Sequence, residues 1–347
     1  MGWMPEALKF YRVFLLDERG TGRSTRIDSN TPELLKPEYL SLLRPPDIVR
    51  DAEAIRRVAG IDKWDAFGNS FGGLCVASYL SYFPESIGHA FITGSGIPLE
   101  FDPDEFHRIT FKLLIERQNL LFDTIPNLGE RIQEVSEYLA KNQVVMPTGE
   151  RLTPERFKMI GVLLGEEGDF ERIAQLLEAP FTSVLGTKRI RTDFLWELNS
   201  VISLEKTPLW AVIQETMLAK PGTSSNWSAE RVKETMQSLR LFGNHFYQWH
   251  FSQDPALIPF KNAVDSLASF TGYEPITIPN VLIENEVPSI ALFYEHDLFM
   301  PPQWFLPPTE KVPNVRTLMD SEHLHDGIYT DGASIFKTLL IAAFDRQ

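Results

Sequence analysis

Cysteine is nearly absent from this chain: Cys75 is the only one in 347 residues, which excludes a disulfide framework and any thiolate metal cluster. Long apolar runs are missing too, and no stretch approaches the ~20 residues of a membrane span. Basic residues are scarce beside acidic ones, 33 against 47, for a net charge of −14. A surface this acidic repels nucleic-acid backbones and anionic lipid, so neither is an expected partner. The amino terminus carries no basic-then-apolar leader, and a cytoplasmic location is the expectation. No phosphate loop is found: Gly20-Thr21-Gly22 lacks the third glycine of a dinucleotide fingerprint. His245 and His250, five apart on a presumed helix, point to different sides, and no carboxylate at suitable spacing completes a metal site. No cofactor and no metal are therefore expected. What remains, 43% apolar, 12% aromatic and 23% charged residues, is the composition of a globular protein.

The chain divides into three parts. Residues 1–99 alternate short apolar runs with helical patterns. Arg12 to Leu16, Trp64 to Phe67 and His89 to Thr93 read as strands. Pro45 opens a helix with Ile48, Val49, Ala52, Ile55 and Val58 on one face, closed by Gly60. Phe71 to Phe83 is a helix apolar on nearly every side, which calls for burial under a parallel sheet. Residues 100–283 lose the strands and turn amphipathic and helical, with helix starts at Thr153-Pro154 and Asn226 to Glu230. The aromatics Trp210, Phe242, Tyr247, Trp249 and Phe251 gather in this part, most of them expected in the core rather than around a pocket. Residues 284–347 return to the first pattern, with strands at Ser289 to Tyr294 and Val315 to Met319 and a closing helix from Ser334 to Phe344. The fold class is α/β: one sheet domain split by a large helical cap.

Gly68-Asn69-Ser70-Phe71-Gly72 carries the most chemistry. A serine with glycines at −2 and +2, between a strand and a buried helix, fits a nucleophile elbow, a turn so tight that side chains at the flanking positions would clash. The following helix start favours negative charge, and the Phe71 N–H is a candidate oxyanion donor. Such a serine needs a base, and the base an orienting acid, in the chain order Ser, Asp or Glu, His. Asp297 follows one late strand; His323 and His325 follow the next. Spacing alone leaves both histidines open. His107, His245 and His250 fit worse because they lie in the helical insert. Glu166-Glu167, with Asp169 beyond, reads as a solvated charged turn.

Together, Asp17 to Ser24, Gly68 to Gly73 with Tyr79 to Glu85 behind it, and His325-Asp326-Gly327 resemble the prolyl aminopeptidase (proline iminopeptidase) family, serine peptidases of the α/β-hydrolase fold. In the insert, Gly165 to Arg172 and Ser225 to Arg231 are similar to that family's cap helices. The resemblance implies Ser70 as nucleophile, Asp297 as acid and His325, which precedes Asp-Gly, as base. It implies a cofactor-free enzyme that releases an N-terminal residue, preferably proline, from a short peptide. Family carboxylates hold the substrate's ammonium group; Glu215 lies in a matching stretch, whereas Asn244 occupies a usually acidic position. The altered ammonium site keeps open an ester or small-amide hydrolase with the same triad. The family's glycine-rich oxyanion segment would lie upstream of Gly2-Trp3, so the sheet is expected to be N-terminally truncated, with a gap between strands 12–16 and 64–67. A catalytically impaired hydrolase-like fragment is the third expectation.

Overall fold

The computed structural model describes residues 2–344 apart from Leu218, and the side chain of Glu215 lies outside the described residues. Eight strands appear among them: β1 (Trp64–Asn69), β2 (Ile87–Thr93), β3 (Val144–Val145), β4 (Arg151–Leu152), β5 (Phe181–Val184), β6 (Thr187–Ile190), β7 (Ser289–Tyr294) and β8 (Val315–Asp320). Four of them form the central parallel sheet in the order β1-β2-β7-β8. Side chains alternate along the inner strands. Ile290, Leu292 and Tyr294 join Phe91, Phe336 and Leu339 on one face, while Ala291 and Phe293 join Ala90, Ile92 and Leu74 on the other. A parallel sheet covered on both faces reads as continuous apolar runs for this reason.

The helix Phe71–Tyr82 crosses from β1 to β2 and buries every residue from Gly73 to Ser81, as its all-round apolar composition requires. Register sets the future site. Asn69 pairs with Thr93, Thr93 with Leu292, and Tyr294 with Asp320. The loops that carry Ser70, Asp297 and His325 therefore all leave the sheet at its carboxyl edge, where ligands of open α/β sheets bind.

Between β2 and β7 the chain builds a second apolar cluster, from Phe111, Leu121, Val135, Phe157, Ile173, Leu198 and Tyr247 among others. Its longest helix, Pro103–Thr124, starts under an Asp102 cap that accepts from the amides of Asp104 and Glu105. This part does not lose its strands: β3 pairs with β4 and β5 with β6 as small antiparallel hairpins. Residues 242–249 are not helical either; the helix there covers only His250–Gln253.

Two further expectations change. Residues 12–16 form no strand, and β1 is an edge strand bonded only to β2 among the described strands, so no gap opens inside the sheet. A strand is stable only where a neighbour takes its amides and carbonyls; here the run passes the sheet's flank with Phe14 against the Trp64 ring, 6.4 Å between centroids. The helix Pro45–Val58 buries Ile48 and Val49 but leaves Ile55 and Val58 exposed on the same flank, because no strand beyond β1 covers them.

Candidate active site

The turn after β1 is forced by packing. Ser70 adopts φ 55° and ψ −118°, a conformation that costs a non-glycine residue ~1–3 kcal/mol and persists only when its surroundings impose it. A Cβ on Gly68 would lie 2.0 Å from the Gly72 carbonyl oxygen, so glycine is obligatory there. Gly72 itself has open space where a Cβ would go; the second close approach belongs to Gly73, whose Cβ would meet Ser95 Cβ at 2.7 Å. The requirement for glycine at +2 is thus corrected to +3. The Ser70 amide is bound to the Thr93 carbonyl at 2.9 Å, which fixes the serine at the strand end. The amide of Phe71 lies in the first turn of its helix, where no carbonyl precedes it by one turn.

Three side chains from three loops line up over this turn. His325 Nε2 lies 2.9 Å from Ser70 Oγ, and His325 Nδ1 lies 2.7 Å from Asp297 Oδ2. Asp297 is fully buried; its other oxygen accepts from the amides of Phe299 and Met300 at 2.8 and 2.9 Å. Those bonds hold a charged carboxylate out of water. Burial alone would lower the His325 pKa, but the Asp297 carboxylate, with Asp326 and Glu166 nearby, opposes it and the net shift is upward. The Phe299 ring covers the imidazole, 4.8 Å between centroids.

His323 faces elsewhere. Its Nδ1 binds Asp320 Oδ2 at 2.9 Å and its amide donates to Asp320 Oδ1 at 3.1 Å, so it closes the turn after β8. Of the turn expected to be solvated, only Glu166 stays at the surface, paired with Arg172; Asp169 and Glu167 do not. Asp169 is buried against Arg117 through two 2.8 Å bonds, and Glu167 Oε1 accepts from the Leu324 amide at 3.1 Å. The Glu167 amide donates to Asp326 Oδ1 and the His325 amide to the Gly165 carbonyl. This turn of the insert therefore braces the His325 loop on both sides.

A cavity opens over Ser70, lined by Phe106, His107, Thr110, Trp210, Gln214, Asn244, His245 and Phe299 together with Leu114, Leu164, Met217, Leu298 and Met300. Of the clustered aromatics only Trp210 reaches it; Phe242, Tyr247 and Phe251 are core. Asn244 Oδ1 accepts from Trp210 Nε1 at 3.0 Å. Glu215 belongs to the helix Pro208–Met217, one residue from Gln214, but its side chain lies outside the described residues. That helix is tied to the core by Arg44, a buried guanidinium that donates to the carbonyls of Thr216 and Ala219. No group of His, Cys, Asp and Glu among the described residues could hold a metal ion, and no described helix is long and apolar enough to cross a membrane.

His107 and His245 are the residues that chain order passes over. Nothing in their spacing gives them away, because 135 positions separate the Thr110–His245 contact that brings them to one wall.

The alpha/beta hydrolase fold family matches residues 1–135. A proline iminopeptidase of Aeromonas sobria is 32% identical over 98% of this chain and 82% of its own length. A second one, from Aspergillus aculeatus, is 27% identical over 99% of this chain and 81% of its own. Among solved structures, a proline iminopeptidase of Mycobacterium smegmatis aligns over 95% of this chain and 78% of its own at 13% identity, with a TM-score of 0.42. On the strength of the near-full-length match at 32% identity, this chain is a hydrolase that belongs to the proline iminopeptidase family.

Proposed function

We propose that this chain releases the N-terminal residue of short peptides, proline by preference, through an acyl-enzyme on Ser70. The observation that carries the reading is the unbroken Asp297–His325–Ser70 hydrogen-bond chain at 2.7 and 2.9 Å. Asp297 accepts from Nδ1–H and so keeps Nε2 unprotonated and aimed at the serine. Ser70 Oγ attacks the carbonyl carbon while its proton passes to Nε2. The carbonyl oxygen gains the negative charge and takes the Phe71 N–H as donor, with the helix Phe71–Tyr82 behind it. His325 then gives the proton to the leaving amine, the C–N bond breaks and the ester on Ser70 remains. Water, deprotonated by His325, attacks that ester and returns the serine.

In this reading residues 100–283 act as a cap over the cavity, with residues 1–99 and 284–347 as the two parts of the hydrolase core. A short peptide or other small molecule is the substrate. One observation favours a second reading, an ester or small-amide hydrolase with the same triad: among the described residues no carboxylate lines the cavity. Rates on L-prolyl arylamide, its N-acetylated form and a short-chain aryl ester separate the two. An aminopeptidase strongly prefers the free amine; equal rates on the blocked and free amides would sink the proposal and leave the second reading.

A further inference from the structure

The imidazole of His325 is aimed by its side-chain partners, but its backbone is held from another direction, by a buried ion pair that the mechanism does not use. Arg117 lies on the helix Pro103–Thr124, whose Phe106, Thr110 and Leu114 line the cavity over Ser70. Steps of four, four and three residues put these side chains and Arg117 on one stripe of the helix. Arg117 Nε and Nη2 donate to Asp169 Oδ2 and Oδ1, both at 2.8 Å, and Asp169 keeps only 3% of its surface exposed. Asp169 Oδ2 also accepts from the Gly165 amide at 3.2 Å, and Oδ1 from the Phe170 amide at 2.9 Å. The Gly165 carbonyl in turn accepts from the His325 amide at 3.2 Å. Glycine is required at this link: Gly165 sits at φ 98°, and a Cβ there would lie 2.9 Å from the Phe299 ring, the same ring that covers the imidazole.

We infer that Arg117 and Asp169 are positioning residues for His325: through Gly165, the ion pair ties the helix that walls the cavity to the backbone of the base. The base is then aimed only while that helix is seated. This rests on the reading of Ser70, Asp297 and His325 as a triad, whichever substrate it serves. An imidazole that must meet Asp297 at 2.7 Å and Ser70 at 2.9 Å tolerates little movement of its own backbone. A carboxylate that accepts a two-pronged guanidinium and two amides fixes direction as well as distance, which an apolar contact does not. Glu167 holds the same loop at Leu324 and Asp326, but from within its own turn; Asp169 anchors the loop to the long helix. Neither Arg117 nor Asp169 lines the cavity, so their loss acts on the rate and not on substrate affinity.

A buried ion pair also bears on stability, so the test separates aim from folding. Asp169→Asn turns an NH₂ toward the donors on one side of the carboxylate. It should lower kcat by ~10- to 100-fold with KM within about twofold, on whichever arylamide or aryl ester the wild-type chain hydrolyses. Fluorophosphonate labelling of Ser70 should slow by the same factor. Arg117→Met/Asp169→Leu removes both charges together, a replacement that often leaves stability intact. It should melt near the wild-type temperature and still label as slowly as Asp169→Asn. Arg117→Lys, which keeps a cation on Asp169, should label within about threefold of wild type. A folded double variant that labels at the wild-type rate overturns the inference, as does an Asp169→Asn loss confined to KM. Should the double variant fail to fold, folded Asp169→Asn labelling as fast as wild type overturns it equally. A folded wild-type chain that forms no Ser70 adduct is a different result, which overturns the triad reading itself.

Discussion

Two aspartate–histidine pairs lie side by side at the carboxyl edge of the sheet, and only one of them reaches the serine. His325 and His323 are two positions apart, and each ring binds a carboxylate, at 2.7 Å to Asp297 and 2.9 Å to Asp320. Both pKa values are raised, burial opposing and the nearby carboxylates together prevailing. The difference is in what lies behind the acid and ahead of the second ring nitrogen. Asp297 is fully buried and held by two amides, whereas the Asp320 side chain keeps 16% of its surface exposed. His325 Nε2 meets Ser70 Oγ at 2.9 Å; His323 Nε2 lies 3.8 Å from the Asp331 carboxylate. An aspartate beside a histidine is common chemistry, and the serine hydroxyl on the far nitrogen is what fits His325 to the proposed role of base.

The largest break in this comparison comes from the serine and its base. Ser70→Ala and His325→Gln should each lower turnover of a prolyl arylamide by ~10⁴-fold or more, because the members of a triad act as one unit. His323→Gln should leave kcat/KM within about threefold. Steady-state kinetics on the three purified variants decides this, and the reverse ranking of the two histidines would exchange their roles.

Next comes Asp297→Asn, with an expected loss of ~10³–10⁴ in kcat from the wrong imidazole tautomer. The pH profile sharpens it. His325 must be neutral to take the serine proton, so kcat/KM should rise with pH through a midpoint above the ordinary imidazole value of 6.5, because the folded-state pKa is raised. Residual activity of Asp297→Asn should show that midpoint displaced downward.

A smaller loss, ~10-fold in kcat with little change in KM, is expected from Glu167→Ala. It frees the Leu324 amide and loosens the loop that aims His325. A KM change alone would place Glu167 in substrate binding instead.

The smallest effect is on stability, from the other pair. The folded pKa of His323 is raised, so its ion pair with Asp320 stabilises fully below the unfolded value of about 6.5 and fades as pH rises through the folded value. Thermal melts of His323→Gln should therefore show a deficit at pH 5.5 that shrinks by pH 8.5. A deficit constant across that range would mean that the ring is held by packing.

The turn at Ser70 is legible in the sequence because its cause is local: Gly68 must pass the Gly72 carbonyl four residues on. Even there the pattern misleads about Gly72 and passes over Gly73, whose contact with Ser95 lies across the next strand. Asp297 and His325 follow from chain order, since register puts every strand's exit at one edge. The choice between His323 and His325 needs the family resemblance, for both follow β8 closely. The Glu167 brace and the His107–His245 wall are illegible because their contacts span 157 and 135 positions. The run at 12–16 has strand composition without strand structure, since a strand is made by its neighbour as much as by its own residues.

The most direct test of Ser70 activated by His325 is covalent. A fluorophosphonate should form one adduct per chain, mapped by mass spectrometry to Ser70, at a rate that collapses in His325→Gln and stays unchanged in His323→Gln. Folded protein that forms no adduct, or an adduct on Ser70 formed equally fast in His325→Gln, would contradict the account.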